Sequence, residues 1–201
     1  MRPRLVLASQ SPRRRELLAK AGFEFTHTSL QISEIPDENL NLPDQVRGLA
    51  SDKADAWLDT VKPSEREGIL LLTADTVVIL DGKILGKPKD QKENREFLER
   101  LSGHFHEVIT AVCLVEGSTG KKIVAHETST IYFRKLNAIE VEAYVTSGDG
   151  LDKAGGYGIQ GEAGKFVEKL EGPFDNVMGL PVELIEQLLR ENGWEVARKP
   201  K

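Results

Sequence analysis

Apolar and polar positions follow two periods along this chain, and the switches between them mark its elements. Leu5-Val6-Leu7-Ala8 is a short continuous apolar run that predicts a buried strand. Pro12–Ala21 then carries the amphipathic pattern of a helix that stops at Gly22, with Ser11 suited to the N-cap and Pro12 to the first helical position. A second strand is predicted near Glu24–Thr28, and the polar, acid-rich stretch Ser29–Asn41 reads as a loop. From Pro43 onward Val46, Leu49, Ala50, Lys53, Ala54 and Trp57 recur at three- and four-residue steps, which predicts a helix. Ile69–Thr73 and Thr76–Leu80 read as two apolar strands, and Asp81-Gly82 as a hairpin turn returning through Lys83–Leu85. A helix opening at Asp90 carries Phe97, Leu98 and Leu101 and closes at Gly103. Two long β runs follow, His106–Glu116 and Ile123–Arg134, joined by the turn-like Gly117–Gly120. Asn137 and Glu140 resemble a capping box opening a helix to Thr146. After the glycine-dense Gly148–Gly164 come a strand at Phe166–Leu170 and a last helix near Pro181–Glu191, while Lys199–Lys201 reads as a frayed tail.

Alternating strands and helices with one long antiparallel segment imply an α/β fold, a mixed sheet with α+β character, arranged in one large domain or two small lobes. Its 201 residues can bury a real core. A formal net charge of −5 argues against nucleic acid as a partner. No segment approaches a membrane span, and the amino terminus lacks the apolar region of a signal peptide, so a cytoplasmic protein is expected. The single Cys113 lies in a strand-like apolar run and reads as a core residue.

Against this acidic background, Arg13, Arg14 and Arg15 stand on the positive end of the first helix, each placement costing about 0.3–1 kcal/mol. A bound anion would reverse that sign, so the turn reads either as a phosphate site or as a solvated basic first turn. Asp75 interrupts an otherwise apolar run, where an unpaired buried carboxylate is expensive. It must meet a metal, a basic partner or a water-filled opening, unless it caps a turn between two strands. Lys87, fixed before Pro88, is a phosphate contact or a plain surface residue. Lys53 shares its face with Leu49, Ala50 and Trp57, which implies either a functional role or a snorkelling stem. In Asp152–Gly161 the glycines allow close backbone approach and Gln160 offers an amide that both donates and accepts; the same composition also suits a flexible crossing. The four histidines lack metal-ligand spacing and read as structural. Oxygen ligands such as Glu34 and Asp75 would favour Mg²⁺ or Mn²⁺ over zinc.

The ordered set Leu7-Ala8-Ser9-Gln10-Ser11-Pro12-Arg13-Arg14, Ala74-Asp75-Thr76-Val77-Val78, Gly86-Lys87-Pro88, Leu101-Ser102-Gly103, Asp152–Gly161 and Asn176-Val177-Met178-Gly179-Leu180-Pro181 resembles the Maf family. The matches run over nearly the whole chain; Phe174-Asp175 before Asn176 is a small departure. The resemblance implies a nucleoside triphosphate pyrophosphatase that cleaves between the α- and β-phosphates with a divalent metal. It also implies a fold like that of the inosine triphosphate pyrophosphatases, a single catalytic domain over residues 1–198 with two lobes around one cleft, and a homodimer. The family's proton acceptor falls on Asp75, its substrate-selecting positions on Arg13, Thr76 and Gln160, and its other polar cleft residues on Ser9, Arg14, Glu34, Lys53 and Lys87. Glu34 is the further metal ligand expected. The loop Gly155–Gly161 looks like the dTTP/UTP branch. Two rivals stand beside it: the sister branch acting on CTP, UTP or 7-methyl-GTP, and a nucleotide-binding regulator of cell division without turnover.

Overall fold

The computed structural model describes residues 2–30 and 35–199. It contains a seven-stranded mixed sheet in the order β2-β1-β3-β5-β6-β7, with β4 beside β3, and six α-helices among the described residues. The mixed α/β class expected from the pattern is therefore observed. The chain divides into two compact units, Met1–Asp75 with Thr110–Glu127 and Gly179–Lys201, and Thr76–Ile109 with Thr128–Met178.

The first unit begins with β1 (Arg4–Ala8), which pairs in parallel with β2 (Phe25–Thr28) and with β3 (Ile69–Leu80). Parallel strands need a crossover, and α1 (Pro12–Lys20) supplies it between β1 and β2, while α2 (Leu42–Thr60) lies between β2 and β3. Ser11 caps α1 by accepting from Arg14 N, as its type and position predict. The stripe on α2 works as expected: Val46, Leu49, Ala50, Ala54 and Trp57 are buried. Thr73 Oγ1 donates to Ala50 O at 2.6 Å, so a buried hydroxyl ties α2 to β3. The final helix, α6 (Val182–Glu191), buries Ile185, Leu188 and Leu189. After it, Glu24 N donates to Ala197 O and Lys199 N to Gly22 O, so the expected fraying does not begin at Lys199; residues 200–201 lie outside the described residues.

One boundary differs from expectation. Ile69–Leu80 is a single strand of 12 residues, not two. Asp75 therefore sits inside continuous strand rather than capping a turn. The apolar residues around it are buried and hold the pleat, and the carboxylate is paired with a cation instead of turning out to water.

In the second unit Asp81 and Gly82, both with positive φ (51° and 70°), turn β3 into the antiparallel β4 (Lys83–Leu85). Its helices α3 (Gln91–Leu101) and α4 (Ala138–Ser147) are capped by Asp90 and by the predicted Asn137/Glu140 box. The long strands β5 (Phe105–Glu116) and β6 (Lys122–Phe133) contribute residues to both units; β7 (Val167–Glu171) pairs with β6. A four-residue helix, α5 (Phe174–Val177), escaped the hydrophobic pattern because it is one turn long. The core of this unit gathers Val78, Leu98, Leu101, Val108, Ile131, Phe133, Tyr144, Tyr157 and Phe166. Cys113 is fully buried, its thiol pushed up to about 12 by desolvation, which makes it the inert core residue expected.

Candidate active site

In the first unit, the strand-to-helix turn after β1 folds on itself. Ser9 is buried, and its Oγ accepts from Ser11 N at 3.2 Å and from Arg14 Nη1 at 3.4 Å. Arg14 reaches further: Nη1 donates to Ala74 O at 2.8 Å and Nε to Gly179 O at 2.7 Å. The guanidinium thus fixes the start of α1 against the residue preceding Asp75. Gly179 adopts φ 103°, a conformation that a side chain would strain, which explains a glycine at the point where its carbonyl meets the arginine. Arg13, one position earlier, is half-buried, and no acidic residue stands in the first turn of α1.

Asp75 is 5% exposed and forms an ion pair with Lys53, Nζ to Oδ1 at 2.5 Å. Lys53 Nζ also lies 3.5 Å from Ala74 O. The lysine reaches the strand because α2 turns its apolar stripe toward β3, and position 53 lies on that stripe. Its odd place among Leu49, Ala50 and Trp57 is thereby explained: it neutralises a buried carboxylate rather than snorkelling to solvent. Removing water from both ions strengthens their mutual attraction and makes each dependent on the other. Ser9, Arg14, Lys53 and Asp75 are linked through two shared acceptors, Ser9 Oγ and Ala74 O, together with the direct pair.

The remaining expected positions belong to the second unit. Thr76 follows Asp75 in β3 and is half-buried, whereas Lys87 and Gln160 are exposed. The segments carrying Lys87 and Gln160 meet through backbone, since Gly155 N donates to Gly86 O at 3.0 Å. Gly155 (φ 68°) packs so closely on Val78 that a Cβ would sit 2.7 Å from Val78 Cγ2. The glycine-rich stretch is therefore a fitted loop, with left-handed backbone at Gly155 and Gly156 (φ 68° and 73°), rather than a slack crossing. Glu34 lies outside the described residues.

Sequence reasoning missed what supports this loop. Asn94 Nδ2 donates to Gly156 O at 2.7 Å, His106 Nε2 lies 2.6 Å from Tyr157 Oη, and Tyr144 Oη accepts from Gly158 N at 3.1 Å. His106, expected to be structural, is buried in the core of the second unit, and burial pushes its imidazole down to about 4. Its partner is 51 residues away, and no local spacing announces it.

The family model described as Maf-like protein matches residues 4–192. The chain belongs to the Maf family. Among relatives of this Maf chain, the dTTP/UTP pyrophosphatase of Bdellovibrio bacteriovorus is 51% identical, with 94% of this chain and 98% of the relative covered. The dTTP/UTP pyrophosphatase of Hahella chejuensis is 44% identical over 97% of this chain and 95% of the relative. That of Methylococcus capsulatus is also 44% identical, over 97% and 94%. The Maf match covers residues of both units, including Asp75, Lys53 and the glycine loop.

No helix among the described residues is long and apolar enough to cross a membrane. Among those residues no group of three or more His, Cys, Asp or Glu side chains gathers as a metal site.

Proposed function

We propose that this protein hydrolyses dTTP and UTP between the α- and β-phosphates, releasing the nucleoside monophosphate and pyrophosphate and so clearing unwanted pyrimidine nucleotides. The observation that carries this reading is the buried Asp75–Lys53 pair, set in a chain 51% identical to a dTTP/UTP pyrophosphatase. In the proposed reaction a water oxygen attacks the α-phosphorus while Asp75 accepts its proton. The α–β bridging oxygen departs with the bonding pair on pyrophosphate. Lys53 holds the carboxylate in one orientation, and Arg14, locked on Ala74 O and Gly179 O, holds the positive end of α1 where it faces phosphate oxygens. Arg13 and Lys87 add positive charge as the leaving group develops its own negative charge. Thr76 and Gln160 select the base, the exposed amide of Gln160 offering both a donor and an acceptor.

A divalent cation fits the donor chemistry in a limited way. Asp75 supplies one hard carboxylate, and Mg²⁺ is commonly held by one or two carboxylates together with substrate phosphates. Asp75, with Glu34 as the second expected ligand, would hold Mg²⁺ or Mn²⁺. When bound, the cation supplies Lewis-acid polarisation of phosphoryl oxygens. A cytoplasmic enzyme acting on free nucleotides suits the net charge of −5, and a homodimer is the assembly carried over from the family.

The test is pyrophosphate release from dTTP, UTP, CTP, GTP and 7-methyl-GTP with either metal. Release from dTTP and UTP well above the others is expected. Preference for CTP or 7-methyl-GTP would move the protein to the sister branch, and tight binding with no release would make it a regulator.

A further inference from the structure

Three consecutive residues of the glycine loop are each gripped by one polar side chain, and each side chain comes from a different element. Asn94 of α3 donates to Gly156 O, His106 of β5 pairs with the Tyr157 hydroxyl, and Tyr144 of α4 accepts from Gly158 N. Asn94 and His106 are at most 1% exposed, Tyr144 3% and Tyr157 5%. Burial keeps this support neutral, because it pushes the His106 imidazole down to about 4 and raises both phenols. The rings interlock edge-to-face: His106 and Tyr157 pack on Phe133, and Tyr144 on Phe166. Tyr144 Oη also donates to Asp149 Oδ2 at 3.0 Å, and Lys153 Nζ ties Asp149 to Asp152, which closes the loop's entry. Space is tightest at Gly156, whose φ of 73° also disfavours a side chain, while at Gly158 the flexible end of Lys153 would have to move aside. A Cβ on Gly156 would lie 2.2 Å from Asn94 Nδ2, and one on Gly158 would lie 2.7 Å from Lys153 Cε.

A loop held this closely on its buried side, with Gln160 exposed two residues beyond the last anchor, is built to present that amide in one place. We infer that Asn94, His106 and Tyr144 are positioning residues for substrate selection, acting on the nucleobase only through the Gly156–Gly158 backbone and Gln160. This rests on the proposed pyrophosphatase reading and deepens it. A preorganised amide rejects a base whose edge mismatches it because, once covered by that base, its own donor and acceptor lack partners. A loosened amide adapts to either base.

The experiment measures kcat and KM for dTTP and CTP in the wild type and in Tyr144→Phe, Tyr157→Phe, Asn94→Leu and Gln160→Ala, with amide hydrogen exchange across residues 155–161. Each anchor variant is expected to raise KM for dTTP about tenfold while leaving kcat within about threefold, the pattern of lost uniform binding. The dTTP-over-CTP ratio of kcat/KM should fall by a similar factor. Combining Tyr157→Phe with Gln160→Ala should then add no further loss, because both act through one group. Since Tyr157→Phe strands a buried imidazole, the pair His106→Leu with Tyr157→Phe removes both polar partners, and it should fold well yet discriminate as poorly as the single variant. Exchange at Gly158 should quicken at least about tenfold in Tyr144→Phe. Unchanged discrimination in the anchor variants, additive losses with Gln160→Ala, or unchanged exchange at Gly158 would each overturn the inference. A wild type that releases nothing from dTTP would sink the pyrophosphatase reading instead, while the exchange measurement still decides whether the anchors hold the loop.

Discussion

The two regions proposed to carry the chemistry are built on opposite electrostatic principles. Around Asp75 the first unit concentrates full charges: a buried carboxylate on Lys53, and Arg14 on the carbonyls of Ala74 and Gly179. Around the glycine loop the second unit uses an amide, an imidazole and two phenols, all neutral and all buried. Charges suit the proposed work of meeting phosphate and moving a proton, since field strength governs that work. Neutral groups suit a region that must hold a shape, since a hydrogen bond is directional and weakly affected by salt. One consequence is that the first region should fail by losing a charge partner and the second by gaining a proton or a methyl group.

Lys53→Met should give the largest loss of stability, about 3–5 kcal/mol, because it leaves the Asp75 carboxylate buried without its cation. Urea unfolding checks this, and a loss under 1 kcal/mol would show that water reaches the carboxylate. The second region predicts a dependence on pH. His106 has its folded value lowered from 6.5 to about 4, so the unfolded chain binds the proton first as pH falls. Its stabilising contribution is complete above pH 6.5 and is lost between about 6.5 and 4, amounting to about 3 kcal/mol. Unfolding midpoints across that window should fall in the wild type and fall less in His106→Leu combined with Tyr157→Phe. Gly155→Ala should cost at least about 1–2 kcal/mol, through its positive φ and the contact with Val78, and should lower the thermal midpoint. Ser11→Ala should cost least, about 0.5 kcal/mol, since its bond to Arg14 N is long at 3.5 Å and Arg14 anchors the helix start independently. A larger loss would mean that the cap, and not the arginine, fixes that turn.

Legibility in the sequence divided along the same line. The charged region announced itself, because charges in apolar surroundings are anomalies that a linear pattern exposes. Asp75 broke an apolar run and Lys53 broke an apolar helical stripe, although nothing in the pattern said that they meet across 22 positions. The Asn137–Glu140 box and the Asp81-Gly82 turn were legible because their physics is local. The neutral region was nearly silent. Asn94, His106 and Tyr144 are unremarkable in their own windows, and their common purpose arises only when α3, β5 and α4 pack beneath one loop. The break assigned at Asp75 failed for a related reason: a charge in a strand looks like a turn until its partner is seen.

The central claim, that the buried Asp75 serves the reaction rather than the fold alone, is tested most directly by Asp75→Asn. Asparagine keeps the shape and can still accept from Lys53, but it cannot take a proton. Pyrophosphate release from dTTP should fall about 10³-fold, with dTTP binding by calorimetry within a few fold of wild type and the fold intact. Release within about threefold of wild type, from a folded protein, would contradict the account and leave the Asp75–Lys53 pair as a structural bond.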